Sequence, residues 1–302
     1  MRLLLAVSTL AVPLFFTPAP APAKEAAAPC ASVFAHGQAP VVMQERSGTL
    51  LCYRAYAILH SGATRTALWS AERLTRGAVE AARTLARDSD FYEENKLPVS
   101  ERATLADYAR SGFDRGHLAP SGDFGDKRSQ AESFSLANVI PQHPVSNRRT
   151  WSHLETSTRR LVRKFGLAFV VTGPVFDRSS RTLRGRVTVP DFIWKAIYIP
   201  GKGAAAYIVR NDATEAYSII SIAELRDFTG IDPFPRLDRV TWAAEFALPP
   251  PTPHPGEKAA RQVSFSRLVS GAVVQKHDGI KKLAEALHNS GGMLSFASAL
   301  SR

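Results

Sequence analysis

Three side chains that could share one reaction stand close together in the chain: His117, Asn147 and Glu155. The stretch holding them reads DRGHLAPSGDF, then SFSLANVIPQ, then SNRRTWSHLE. An imidazole with an intrinsic pKa near ~6.5 can take a proton from water at neutral pH. The amide oxygen of an asparagine is a hard, neutral donor. Mg2+ keeps several waters, so one such protein ligand can suffice for it. Glu155 and Arg115 add a carboxylate and a guanidinium that could arrange water and phosphate. Together these groups suit metal-assisted hydrolysis of a phosphodiester. Taken singly, each has a plainer reading. A lone histidine is usually structural, Asn147 would also suit a helix N-cap, and Glu155 could be a solvated helical glutamate. Arg115 could simply pair with Asp114.

The spacing argues for the joint reading. Asp114-Arg115-Gly116-His117 is followed by Asn138 shortly before Pro141-Gln142, and Asn147 stands four before Trp151 and eight before Glu155. This set resembles the active-site signature of the DNA/RNA non-specific endonucleases, whose sites are built on a ββα-metal motif. The resemblance continues through VVTGPVF (Val170 to Phe176), VPDFIWK (Val189 to Lys195) and TGIDPFP (Thr229 to Pro235), roughly the middle two-thirds of the chain. It implies that His117 is the general base and that Asn147 is the metal ligand, for Mg2+ with Mn2+ as a possible substitute. It implies further that Glu155 holds a metal-bound water and that Arg115 stabilises charge on the phosphate. Asn138 would fix its strand or touch the substrate backbone. A second arginine is expected upstream of the histidine; Arg87 is the candidate, with Arg83 close behind. A backbone carbonyl from Phe134 to Ile140 should orient the imidazole. Two departures stand out: Ser129 and Gln130 occupy places where the family tends to carry a methionine, and the extension after about Pro249 has no counterpart.

The formal charge is +11, from 38 Lys and Arg against 27 Asp and Glu. A basic balance alone fits nucleic acid, a membrane surface or mere solubility. Its distribution narrows the choice, because Val145 to Pro190 holds ten Lys or Arg against Glu155 and Asp177. Arg148, Arg159 and Arg160 are the candidates for phosphate contacts, with Arg87; a solvated helix face is the bland alternative. DNA and RNA held through their phosphate backbone are the expected partners, and little base specificity follows from such contacts. A binding protein that has lost catalysis fits poorly with the presence of His117, Asn147 and Glu155. A phosphodiesterase for small nucleotides fits poorly with the basic cluster.

Residues 1–23 read as a signal peptide: Arg2, an apolar run from Leu3 to Phe16, then Ala21-Pro22-Ala23 before Lys24. The run is shorter than the ~20 residues that span a bilayer. The mature protein is therefore expected to be secreted or periplasmic and free of the membrane. In that compartment Cys30 and Cys52 are expected to pair. The chain then divides into residues 1–23, an endonuclease domain at 24–248, and a Pro-rich linker with a C-terminal extension at 249–302. Oligomeric state is left open.

The elements that must hold the site follow from periodicity. Leu50 to Leu59, Ala67 to Leu74 and Phe134 to Ile140 read as strand-like, the last stopped by Pro141. Ala78 to Arg87 reads as a helix and Phe91 to Ala109 as a surface loop. Asn147 to Phe165 reads as a helix with Trp151, Leu154, Leu161, Val162 and Phe165 in one buried stripe. Strands are expected at Leu167 to Thr172, Val187 to Val189, Trp194 to Ile199 and Ala205 to Val209, and a short helix at Gln275 to His288. The fold expected is α+β: a central antiparallel sheet flanked by helices, with the ββα-metal motif on one face.

Overall fold

From Phe192 to Ile199 eight consecutive residues are buried, and all but Lys195 and Ala196 are aromatic or β-branched. A strand of that composition pairs on both edges and is covered on both faces. It lies inside an eight-stranded sheet in the computed structural model, which describes residues 30–43, 48–87, 89–177 and 180–270. In chain order the elements that position the site are β1 (Thr49–Cys52), β2 (Tyr56–Ser61), β3 (Thr66–Thr75), α1 (Arg76–Ala82), β4 (Asp114–His117) and β5 (Val139–Gln142). Then come α2 (Ser152–Phe165), β6 (Leu167–Val175), β7 (Phe192–Ile199), β8 (Gly203–Arg210), β9 (Ala216–Ile220), α3 (Ile222–Thr229) and β10 (Arg261–Gln262). The sheet runs β10-β9-β8-β7-β6-β3-β2-β1, antiparallel throughout except where β10 joins β9 in parallel. β4 and β5 form a separate antiparallel ribbon. The expected α+β architecture is present.

Each face of the sheet has its own core. Tyr56, Val170 and Ile197 pack against Trp151 and against Leu154, Leu161 and Val162 of α2. On the opposite face Trp69 and Trp194 meet Phe34 of the N-terminal arm and Ile222 and Leu225 of α3. Each such fully buried side chain contributes roughly 1.5–3 kcal/mol of transfer free energy, so α2 is held chiefly by its apolar stripe. Its C-terminus closes at Gly166, whose φ of 91° lies where a side chain would be strained. Arg76 donates to the Arg163 and Lys164 carbonyls there, at 2.8 and 3.3 Å, satisfying the free ends of the helix.

Several elements differ from their sequence expectations. The run from Leu50 to Leu59 is a hairpin, closed by Tyr53 N–H donating to the Tyr56 carbonyl at 2.9 Å. Pro141 does not stop β5 but sits within it. Its carbonyl accepts from Asn211 on the side away from β4, so the missing N–H falls on the unpaired edge of the ribbon. β5 is preceded by a 3-10 turn, Leu136–Asn138. The helix at Asn147 to Phe165 begins as a π turn, Ser146–Trp151, before α2 proper. β9 and α3 were not anticipated, although α3 carries a readable capping box in Ser221 and Glu224.

Cys30 and Cys52 are joined, with Cα atoms 5.7 Å apart, tying the N-terminal arm to β1. Residues Pro249 to Glu257, expected as a linker, lie along the outer side of α2. Ser157 Oγ donates to the Pro250 carbonyl at 3.1 Å, Thr252 N–H donates to Ser157 Oγ at 3.0 Å, and His153 meets Glu257 at 2.5 Å. Among the described residues no helix is long and apolar enough to cross a membrane. The expected signal peptide and the helix at Gln275 to His288 lie outside the described residues.

Candidate active site

β4 and β5 pair in register with His117 opposite Val139 and Gly116 opposite Ile140. A Cβ on Gly116 would come within 2.1 Å of Gln142 Oε1, so a side chain there would push Gln142 aside. The glycine beside the histidine thus permits the close approach of the two strands. His117 itself is half-buried, its ring 5.1 Å from Phe91 and 5.0 Å from Phe134, the latter edge-on. Nε2 is sealed and has no hydrogen-bond partner, whereas Nδ1 keeps accessible surface and is likewise unbonded among the described residues. The carbonyl expected to orient the ring is not bonded to it; the two phenyl rings fix its attitude instead. Burial and then the nearby Arg87 guanidinium push the imidazole down to about 3, so the ring is neutral.

Arg87 lies with its guanidinium carbon 5.0 Å from the centre of Phe134, the ring that also supports His117. Its charge is felt at both His117 and Glu155. Arg83 is instead paired with Glu80 at 3.1 Å on the exposed side of α1. Arg87 is therefore the upstream arginine that faces the site. Arg115 is exposed and stacks on Phe91 at 4.7 Å; Asp114 binds a different partner.

That partner set is the centre of the site. Asp114 accepts both Nε and Nη2 of Arg148, at 2.8 and 2.7 Å, and Nδ2 of Asn147 at 3.0 Å. Burial would raise its carboxyl, but these donors outweigh burial and hold it below the usual carboxylate range. Asn147 sits inside the π turn, not at an N-cap. With Nδ2 committed to Asp114, Oδ1 is the end left without a hydrogen bond among the described residues. One turned-out amide oxygen is a donor that a hard cation can use. Among the described residues no group of three or more His, Cys, Asp or Glu converges as a metal cage. His143 and His153 are engaged elsewhere, His143 Nδ1 with the Val145 N–H and His153 with Glu257.

Glu155 stands on the first turn of α2. Burial pushes its carboxyl up to about 7, against the pull of Arg159, Lys195 and Arg87, while Asp123 adds to the rise. Three residues in this group carried no role in the sequence reading: Glu72, Asp123 and Lys195, buried to 1, 2 and 1% exposure. Gln142 is also buried, with both amide atoms unpartnered among the described residues. Lys195 is a charge in the middle of the apolar run FIWKAIYI, and that contrast is the sequence signal that could have found it. Asp123, in a polar turn, carries no comparable signal.

Some expected site residues have partners within the protein. Asn138 is wholly buried and spends its amide on the Ala119 and Ser133 carbonyls, at 2.8 and 2.9 Å, and on Ala119 N–H. It fixes the approach to β5. Arg159 is turned inward, donating to Asp123 at 2.9 Å. Arg160 points to the other side of α2, donating to Thr252 at 2.7 Å. The two arginines, adjacent in sequence, are thus about 100° apart on a helix and cannot form one track. Arg148 stays at the site, exposed but gripped by Asp114.

A sequence model of the family described as DNA/RNA non-specific endonuclease matches residues 38–240. The chain belongs to this family. Nuclease C1 of Cunninghamella echinulata var. echinulata is 33% identical over 205 residues, covering 61% of this chain and 81% of the relative. A nuclease of Nostoc sp. is 33% identical over 202 residues, covering 61% and 72%. Among solved structures, EndoG in its complex with EndoGI has the same fold, with a TM-score of 0.58 at 23% identity over 66% of this chain and 92% of that one. As a DNA/RNA non-specific endonuclease, this chain is a phosphodiester hydrolase. The family match ends before the segment laid along α2, which lies beyond residue 240.

Proposed function

We propose that the protein is an exported nuclease that hydrolyses DNA and RNA with Mg2+, or Mn2+ in its place, leaving 5′-phosphate ends. The observation that carries this reading is that β4 carries both an open, neutral imidazole at His117 and Asp114, which turns out the amide oxygen of Asn147. His117 takes the proton of the attacking water. The ring is kept neutral by burial and Arg87, and arrival of an anionic phosphate offsets the Arg87 charge, so the ring gains basicity as substrate binds. Asn147 Oδ1 would hold the ion, oriented by Asp114, and Glu155 would accept hydrogen bonds from water around it. When bound, the ion supplies positive charge at the scissile phosphate and the leaving 3′-oxygen. Arg87 and Arg115 stabilise negative charge on the phosphate. Attack by water needs no 2′-hydroxyl, so both sugars serve.

Export is supported by the apolar N-terminal run and by the Cys30–Cys52 disulfide. The test is plasmid nicking and RNA degradation with Mg2+ and with EDTA, beside a small phosphodiester, with the new ends mapped. Polymer cleavage that survives EDTA, or 3′-phosphate products, would refute the mechanism. Sequencing the N-terminus of protein recovered outside the cytoplasm should give a start after Ala23.

A further inference from the structure

The sheet face beneath α2 carries one short polar diagonal. Ser70 of β3 lies opposite Thr172 of β6, and Thr172 opposite Lys195 of β7. Glu72 follows two residues along β3, opposite Tyr56 and Val170. Opposed residues, and residues two apart, share a face, so these polar groups all lie on the side covered by α2. Lys195 Nζ donates to Thr172 Oγ1 at 2.7 Å and to the Leu118 carbonyl at 3.4 Å. Neither oxygen of Glu72 receives a hydrogen bond from any donor group among the described residues. Facing it is a second carboxyl, Asp123, whose Oδ1 is taken by Arg159. Lys195 and Arg159 are the cations around Glu72, and Glu155 is the remaining anion.

A buried carboxylate with no donor is costly. Two facing carboxylates sealed from water cannot both be ionised cheaply. A neutral carboxyl, by contrast, needs one acceptor for its hydroxyl, and the facing Asp123 offers one. We propose that Glu72 is kept as a neutral acid whose hydroxyl donates a hydrogen bond to Asp123, so that the pair carries one negative charge and, through Arg159, positions Glu155. Once Glu155 ionises, above about pH 7, the charges balance: Asp123 and Glu155 against Arg159 and Lys195. Burial raises the Glu72 carboxyl well above its usual range, with Asp123 and Glu155 adding to the effect and Lys195 opposing it. Glu72 is a positioning residue, since it touches no substrate. Its effect on turnover rests on the role proposed for Glu155; its protonation does not.

Infrared spectra in heavy water at neutral pH test the proton directly. Wild type should show a neutral-carboxyl stretching band that Glu72→Gln removes and that persists in Glu155→Gln, the contribution of Glu155 itself fading as pH rises past about 7. Kinetically, an amide is the isostere of the neutral acid, so Glu72→Gln should keep kcat within about threefold of wild type at unchanged KM. It should also retain rate at alkaline pH, where wild type loses it. Glu72→Leu, which cannot donate to Asp123, should lose kcat by about tenfold or more at similar KM. Absence of the band, a band insensitive to Glu72→Gln, or a glutamine variant as impaired or as unfolded as the leucine one overturns the proposal. A wild-type band in a protein without nuclease activity would sink the reading of the site while leaving the proton assignment standing.

Discussion

Asn147 donates its amide to Asp114 Oδ2 at 3.0 Å, and Asp114 is itself clamped by both forks of Arg148. The carboxylate thus decides which end of the asparagine faces out. Removing such an orienting partner typically costs 10–100-fold in metal affinity. Asp114→Ala should accordingly raise the Mg2+ concentration for half-maximal nicking by about 10–100-fold, with activity recovering at high Mg2+. An unchanged Mg2+ titration would mean that Asn147 does not need its partner.

His117→Ala should lose about 10²–10⁴ in rate, the usual worth of a general base, with DNA binding nearly intact. Gel-shift affinity beside single-turnover nicking separates the two. A folded variant that nicks like wild type sinks the assignment.

His117 and Glu155 push stability in opposite directions with pH. His117 titrates near 3 when folded, below its ordinary 6.5, so the unfolded chain binds the extra proton between these values. Its contribution is present above pH 6.5 and is lost as pH falls toward 3. Glu155 is raised from 4.5 to about 7, so the folded chain binds the extra proton; that contribution is present below 4.5 and is lost as pH rises to about 7. Between 4.5 and 6.5 the two slopes oppose each other. In metal-free buffer, Glu155→Gln should make Tm rise more steeply with pH in this window, and His117→Gln should make it rise less. Melting curves taken at several pH values decide it; parallel profiles for all three proteins would remove the burial argument.

Arg159 and Arg160 should behave unlike each other. Arg160→Ala, on the strap side of α2, should leave the salt dependence of DNA binding unchanged. Arg159→Ala should lower kcat, because Arg159 supports Asp123 and Glu155. Arg87 and Arg115, exposed and without acidic partners among the described residues, should each contribute about 0.9 to the log–log salt slope on duplex DNA. Binding isotherms at several salt concentrations measure this, and a slope that falls for Arg160→Ala would put the track back on the outer helix face.

Reducing the Cys30–Cys52 link should cost roughly 3 kcal/mol in the chain-entropy picture, without abolishing nicking at room temperature. Mass mapping of the non-reduced protein should show the linked peptides. Two alkylatable thiols would contradict the pairing.

What could be read from sequence was what short intervals determine. The candidates His117, Asn147 and Glu155 could be singled out because their motif is local, and α2 because Trp151, Leu154, Leu161 and Val162 recur at helical period. Pairings across the sheet were not legible. Nothing near Glu72 in the chain says that it will lie diagonally across from Lys195, or that Asp123 will face it. For Asn138 the motif position left two roles open, and only the structure shows its amide consumed by three backbone groups, the strand-fixing one of the two. Arg159 and Arg160 read as one basic pair because charge runs carry no information about which side of a helix each residue takes.

The strap from Pro249 to Glu257 has a consequence for the order of events during folding. It holds α2 through contacts such as Ser157 to Pro250 and Ser152 to His254, separated by 93 and 102 positions, and β10 then closes the sheet edge beside β9. Contacts of such long range form slowly, because loop closure must be completed before they are rewarded. The strap should therefore close over α2 late, together with long-range sheet pairs such as Ser70 with Thr172, whereas the turns of α2 itself form from local contacts. On refolding from denaturant, far-ultraviolet circular dichroism should recover first, and nicking should follow with its own lag.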